Sequence, residues 1–276
     1  MNPHQQRPAS PLEIARSFWR NRELIWQLTR RQVIGRYRGS LMGLAWSFFN
    51  PILMLLVFTF VFSVVFKARW GIGPDERRTD FAIILFIGII IHGLFAECIN
   101  SAPSLILSNV NYVKKVVFPI EVLPWVAMGS ALFHAAASLT VWAAFYLLIY
   151  AKLQWTAVFL PLVMAPLIIG TMGIAWFLTS LGVFVRDINQ VIGVLTTVLL
   201  FVSPVFYPVS ALPQKFQPLL QLNPLTFIIE EARNVLIWGR SPDWRGWIIY
   251  VAVSLVIAWF GFWWFQKTRK GFADVL

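Results

Sequence analysis

The residues able to do chemistry are few in this chain and lie far apart. His92 and Glu97 stand five positions apart in a run that is otherwise apolar. Such a pair reads either as a proton relay or as a polar contact satisfied near a helix end, and the second costs less. An ionised carboxylate at mid-bilayer costs about 2.5–3.5 kcal/mol even on a forgiving insertion scale, and less toward an end. Lys114 and Lys115 form a paired cation with no acid before Glu121. Glu230, Arg233 and Asn234 fall at i, i+3 and i+4, which puts them on one face of a helix expected over about 225–238. Arginines crowd residues 12–40: Arg16, Arg20, Arg22, Arg30, Arg31, Arg36 and Arg38. Cys98 is the only cysteine, which rules out an intrachain disulfide and any cysteine cluster for a metal or redox pair. The chain has no G-x-x-x-x-G-K-[ST] cradle for nucleotide phosphates. A group of carboxylates, or a nucleophile with its base, is also missing, so a membrane transferase finds no support. Catalytic residues and metal ligands are therefore expected to be none, and any ATP energy must enter through another polypeptide.

The elements that position these groups follow from composition. Of 276 residues 58% are hydrophobic and 13% charged, with mean hydropathy +0.70. Several runs approach the roughly 20 apolar residues that cross about 30 Å of hydrocarbon. The expectation is an all-α integral membrane protein with six transmembrane helices, at about 41–66, 81–100, 125–150, 157–185, 191–206 and 246–265. It divides into an arm over 1–40 and a single membrane domain over 41–276. The formal charge of +11 is spread along membrane flanks, which points to anionic lipid headgroups and not to nucleic acid. No signal peptide is evident, so the first span is expected to stay as an uncleaved anchor.

Within the arm, Phe18, Trp19, Ile25, Trp26, Val33 and Tyr37 recur at near-helical spacing between the arginines, the pattern of an amphipathic interfacial helix over 12–37. Pro51 predicts a kink or tilt in the first span. The loop 67–80 balances its cations with acids and suits the outer face, whereas Lys114-Lys115 and the basic cluster 267–270 suit the inner one. Both termini are then cytoplasmic. Small residues over 129–138 predict that the third span packs centrally. In the fourth, Pro161, Pro166, Gly170 and Gly173 predict an irregular outer half, and Ser203-Pro204 breaks the fifth. Between 208 and 245 the chain is neither a full span nor a hydrophilic loop and reads as a re-entrant helical hairpin. Irregular backbone at that depth needs protein or water around it.

Three stretches carry a resemblance. Residues 104–124 include Asn-Tyr-Val-Lys-Lys-Val-Val-Phe-Pro from Asn111 to Pro119, followed by Leu123-Pro124. Residues 36–51 hold Arg-Tyr-Arg-Gly-Ser, then Gly43, Trp46 and Pro51. The most specific is RDINQVIGVLTTVLLFVSPVFYP, starting at Arg186. Together they resemble the permease subunits of polysaccharide-exporting ABC transporters, over nearly the whole chain from about Leu24. The resemblance implies a homodimer of this chain with two ATP-binding cassette subunits in the inner membrane. It would export undecaprenyl-linked polysaccharide, such as O antigen or teichoic acid, with ATP and Mg bound on the partner and no cofactor on this chain. Asn111, Tyr112, Lys114, Lys115, Phe118 and Pro119 would couple to the ATPase. Arg30, Arg31, Arg36, Tyr37 and Arg38 would meet lipid-linked phosphate, since guanidinium groups stay charged and grip phosphate bidentately. Asn223, Pro224, Glu230 and Arg233 would form an outer gate. Trp46, Phe49, Phe58, Phe201, Phe206 and Tyr207 are the candidate channel aromatics, against which sugar rings could slide. A proton-driven secondary transporter or lipid flippase, with His92 and Glu97 as relay, is the alternative; an inverted repeat that would favour it is not evident.

Overall fold

A computed structural model describes residues 10–71, 73, 76–77, 79–111, 118–221 and 223–275, and among these the chain is all helical. The helices are α1 (Pro11–Arg20), α2 (Arg22–Arg36), α3 (Trp46–Phe58), α4 (Asp80–Ser101), α5 (Leu123–Tyr150) and α6 (Leu160–Phe184). They continue with α7 (Ile188–Val202), α8 (Gln217–Gln221), α9 (Thr226–Arg233), α10 (Trp244–Thr268) and α11 (Phe272–Val275). Five helical stretches among the described residues are long and apolar enough to cross a bilayer: Gly43–Val65, Asp80–Ser104, Ile120–Tyr150, Trp155–Phe184 and Trp244–Gly271. The apolar α7 is shorter.

The arm forms two helices where the sequence pattern predicts one. At Asn21 the backbone leaves helical geometry, and the Asn21 amide donates back to the Ser17 carbonyl at 2.8 Å. Asparagine competes in this way for backbone acceptors and favours helix ends. α2 then lies along α5 at close range: a Cβ on Gly129 would stand 2.7 Å from Thr29 Oγ1. The small residues of α5 thus admit the arm. The centre of the chain belongs to α4, whose 18-residue apolar window is 72% buried against 22% for that of α5, so the expected central place of the third span is corrected. From Phe81 to Leu94 only His92 has a polar side chain, and a helix apolar all round is stable only when covered on all sides.

α6 and α10 form the closest helix pair. A Cβ on Gly261 would fall 1.9 Å from the Gly173 carbonyl oxygen, so these backbones touch and only glycine fits. Trp176, fully buried, meets Phe262 edge-on at 5.1 Å and donates its indole N–H to the Glu121 carbonyl at 3.2 Å. Despite its prolines, α6 is regular from Leu160, with Pro161 in its first turn, where no N–H is needed, and Pro166 inside. α3 contains Pro51 and passes into a π-helical stretch over Thr59–Val65. In the region read as re-entrant, α9 packs against α4 and α6 with Leu225, Ile228, Ile229 and Ala232 fully buried.

Candidate functional site

Two polar clusters interrupt the apolar interior. The first joins the arm to the bundle. Arg36 ends α2, Tyr37 caps it, and Gly39 and Gly43 follow with φ of +86° and +51°. Such left-handed backbone, which glycine adopts freely, turns the chain from α2 into α3. Arg36 Nη1 donates to Glu97 Oε1 of α4 at 2.7 Å. His134 of α5 places Nδ1 2.8 and 2.9 Å from the two Glu97 oxygens. A carboxylate only accepts, so Nδ1 carries the proton. In the neutral ring Nε2 is then an acceptor, and the Tyr37 hydroxyl lies 3.2 Å from it, placed to donate. Burial raises the Tyr37 pKa, with Arg36 partly opposing, so the phenol keeps its proton. The cluster borders a cavity of about 260 Å³ between α2, α3, α4 and α5, whose lining also includes the polar Asn50 and Ser138 and the apolar Pro51, Met54 and Ile89.

Of the five residues assigned to phosphate, the structure brings Arg36 and Tyr37 to this cluster. Arg30, Arg31 and Arg38 are exposed, with no ion-pair partner among the described residues. His92 and Glu97 do not meet as a relay: His92 Nε2 donates to the Thr196 carbonyl of α7 at 2.9 Å, while Glu97 serves Arg36 and His134. Sequence reasoning missed His134. Its only signal was an ionisable ring in a span otherwise almost free of charge.

The second cluster surrounds Arg233, whose side chain is 1% exposed. Its Nε donates to the Ile84 carbonyl at 3.2 Å, Nη1 to the Pro204 carbonyl at 2.7 Å and Nη2 to the Val205 carbonyl at 3.1 Å. Nη1 also reaches Glu230 Oε1 at 2.9 Å, and the guanidinium lies 4.4 Å from the centre of the Trp70 ring. The carbonyls at 204 and 205 belong to the break that follows α7, and a planar fork of donors satisfies them together. Gly88 leaves room, since a Cβ there would lie 3.1 Å from Arg233 Nη2. Asn223, also buried, donates to Ser203 Oγ at 2.9 Å and accepts from the Leu225 N–H at 2.9 Å. Pro224 is exposed, and its carbonyl accepts from the Tyr250 hydroxyl. Asn234 pairs with Glu231 at 3.0 Å and not with Glu230.

The candidate aromatics divide into two groups. Trp46 meets Phe49 edge-on at 5.3 Å at the start of α3. Phe206 stacks on Phe201 at 5.6 Å and on Phe62 at 6.2 Å, and Phe62 in turn touches Phe58. Phe62, which sequence reading passed over, bridges the two named spans. The Tyr207 hydroxyl turns back to the Phe201 and Val202 carbonyls, 3.0 Å from each.

Of the coupling residues, Tyr112, Lys114 and Lys115 lie outside the described residues. Asn111 is exposed; Phe118 and Pro119 are half-buried. Just beyond them, buried Glu121 accepts from Arg269 at 2.9 Å, which fastens the exit of this stretch to the end of α10.

Comparison with known proteins gives consistent relatives. The chain is 26% identical to an O-antigen export system permease protein, RfbA, of Myxococcus xanthus over 95% of this chain and 99% of the relative. A protein of the same description from Klebsiella pneumoniae is 23% identical over 92% of this chain and 95% of its own length. The polysialic acid transport protein KpsM of Escherichia coli is 24% identical over 77% and 81%. The profile described as ABC-2 type transporter matches residues 23–237, most of the chain. A multi-pass helical protein with that match belongs to the ABC-2 type transporter family.

Proposed function

We propose that this chain is the transmembrane subunit of an ATP-driven exporter that moves undecaprenyl-linked polysaccharide across the inner membrane. The observation that carries the reading is the alignment with O-antigen export permeases over nearly the full length of both chains. Two copies would pair, each with an ATP-binding cassette subunit that holds ATP and Mg. The outward apolar faces of α3 and α7, where Leu56 is 54% and Val194 66% exposed, support a second copy or lipid as their cover. On this reading α7 is the fifth of six spans, residues 208–245 dip into the outer leaflet, and both termini face the cytoplasm. Residues 104–124 would seat the ATPase through Lys114 and Lys115. Arg30, Arg31, Arg36, Tyr37 and Arg38 would line the approach of the lipid phosphate. Asn223, Pro224, Glu230 and Arg233 would shape the outer gate, with Trp46, Phe49, Phe58, Phe201, Phe206 and Tyr207 along the glycan path.

Affinity purification in mild detergent, with chromosomal neighbours co-expressed, tests the class: a stoichiometric P-loop ATPase with measurable turnover is the expected result. Replacing Lys114 and Lys115 together by Glu should reduce ATPase co-purification and export while membrane insertion stays normal. Unaltered assembly and export would remove those lysines from the docking surface. Export that continues without ATP and stops when the proton gradient collapses would favour the proton-driven alternative.

A further inference from the structure

At the junction of arm and bundle the protein fills an anion seat with its own carboxylate. The Arg36 side chain is 56% exposed and Glu97 28%, and exposed ion pairs of this kind hold weakly. Glu97 does not depend on Arg36. Both its oxygens lie within 2.9 Å of His134 Nδ1, so a carboxylate released by Arg36 keeps a donor and is not stranded. The Tyr37 hydroxyl stands beside the same histidine, and Asn50 lies on the cavity wall. The same cavity is lined by the apolar Pro51, Met54 and Ile89. A cation in a cavity lined by both polar and apolar side chains suits a ligand with an anionic head and an apolar stem.

We infer that Glu97 and His134 form a built-in competitor for a phosphate-headed amphiphile: Glu97 holds Arg36 in the empty protein, and the incoming phosphate takes Arg36 and Tyr37 while His134 retains Glu97. This rests on the reading of Arg36 and Tyr37 as phosphate contacts and adds two positioning residues, neither of which needs to touch the ligand. The exchange keeps Arg36 paired with an anion and Glu97 hydrogen-bonded to His134 in both states. It also releases the end of α2 from α4 when ligand arrives, so occupancy of the seat is reported to the arm.

The test uses the full chain in discs of zwitterionic lipid. Undecaprenyl phosphate is the probe, undecaprenol the uncharged control and inorganic phosphate the free-anion arm. Glu97→Gln should tighten undecaprenyl phosphate by up to about five-fold, the range of an exposed ion pair, and leave undecaprenol unchanged. His134→Ala should weaken it, because Glu97 is then left to Arg36 alone, and should have no effect when Glu97 is already Gln. A merely structural role for His134 would not vanish in that background. Arg36→Gln, a second variant should Glu97→Gln fail to fold, should lose the preference for the phosphate-bearing lipid.

Unchanged or weaker phosphate-lipid binding by a Glu97→Gln protein that elutes and melts like the parent overturns the inference. Equal tightening of both lipids also overturns it, and competition by millimolar inorganic phosphate as strong as by the lipid assigns the seat to a free anion instead. These outcomes do not depend on the ATPase. An absent ATPase partner would sink the exporter reading while the exchange still stood or fell on binding.

Discussion

Arg233 is buried for a reason that its helix face alone does not reveal. Its three nitrogens reach backbone carbonyls at Ile84, within α4, and at Pro204 and Val205, in the break after α7 where helical pairing has ended. Each buried acceptor left bare costs about 1–3 kcal/mol, so Arg233→Met should lower the melting temperature markedly in detergent. Arg233→Lys should rescue little, because one ammonium cannot span three acceptors as a rigid fork does. Trp70→Ala should cost less, about 0.5–2 kcal/mol, with the carbonyl bonds still in place. Sequence put Arg233 and Glu230 on one face, since i, i+3 spacing is a local property. It could not supply the Ile84 carbonyl, 149 positions away, because a backbone acceptor has no sequence signature. His134 escaped notice for a related reason: one ionisable ring in an apolar helix shows its role only once α2 and α4 arrive beside it.

At the level of elements, length and apolarity made the spans legible, and five of the six expected helices are long enough to cross on their own. Neighbour relations were less legible. Small residues over 129–138 do mark a close approach, yet at Gly129 what approaches is Thr29 of the arm and not a lipid-embedded partner. The prolines of α6 suggested irregularity, but Pro161 falls in the first turn, where its missing N–H has no consequence. Where α6 and α10 touch, Gly173 and Gly261 leave no space for a side chain on either. Gly261→Leu should therefore separate the pair and lower stability by at least the about 1–3 kcal/mol typical of overpacking, read as loss of monodisperse protein on size exclusion. A leucine at Gly193, where a Cβ meets nothing within 4 Å, is the matched control.

For the whole molecule, composition alone fixed the membrane class, and the family match agrees with the motif around Arg186–Pro208. α7 adds a constraint of another kind. Its 15 residues rise about 22 Å, short of the roughly 30 Å of hydrocarbon in an average bilayer. On the six-span reading the membrane must deform elastically around this helix, at a modest cost for each ångström of mismatch. Turnover in proteoliposomes should then rise as acyl chains shorten from eighteen to fourteen carbons, while a lengthened α7 should move the optimum toward thicker membranes. A locally thinned sheet also brings the two aqueous compartments closer at the point where the α7 helix gives way to the carbonyls held by Arg233. Lipid elasticity would thus take up part of the distance that a long polar polymer must otherwise travel through protein.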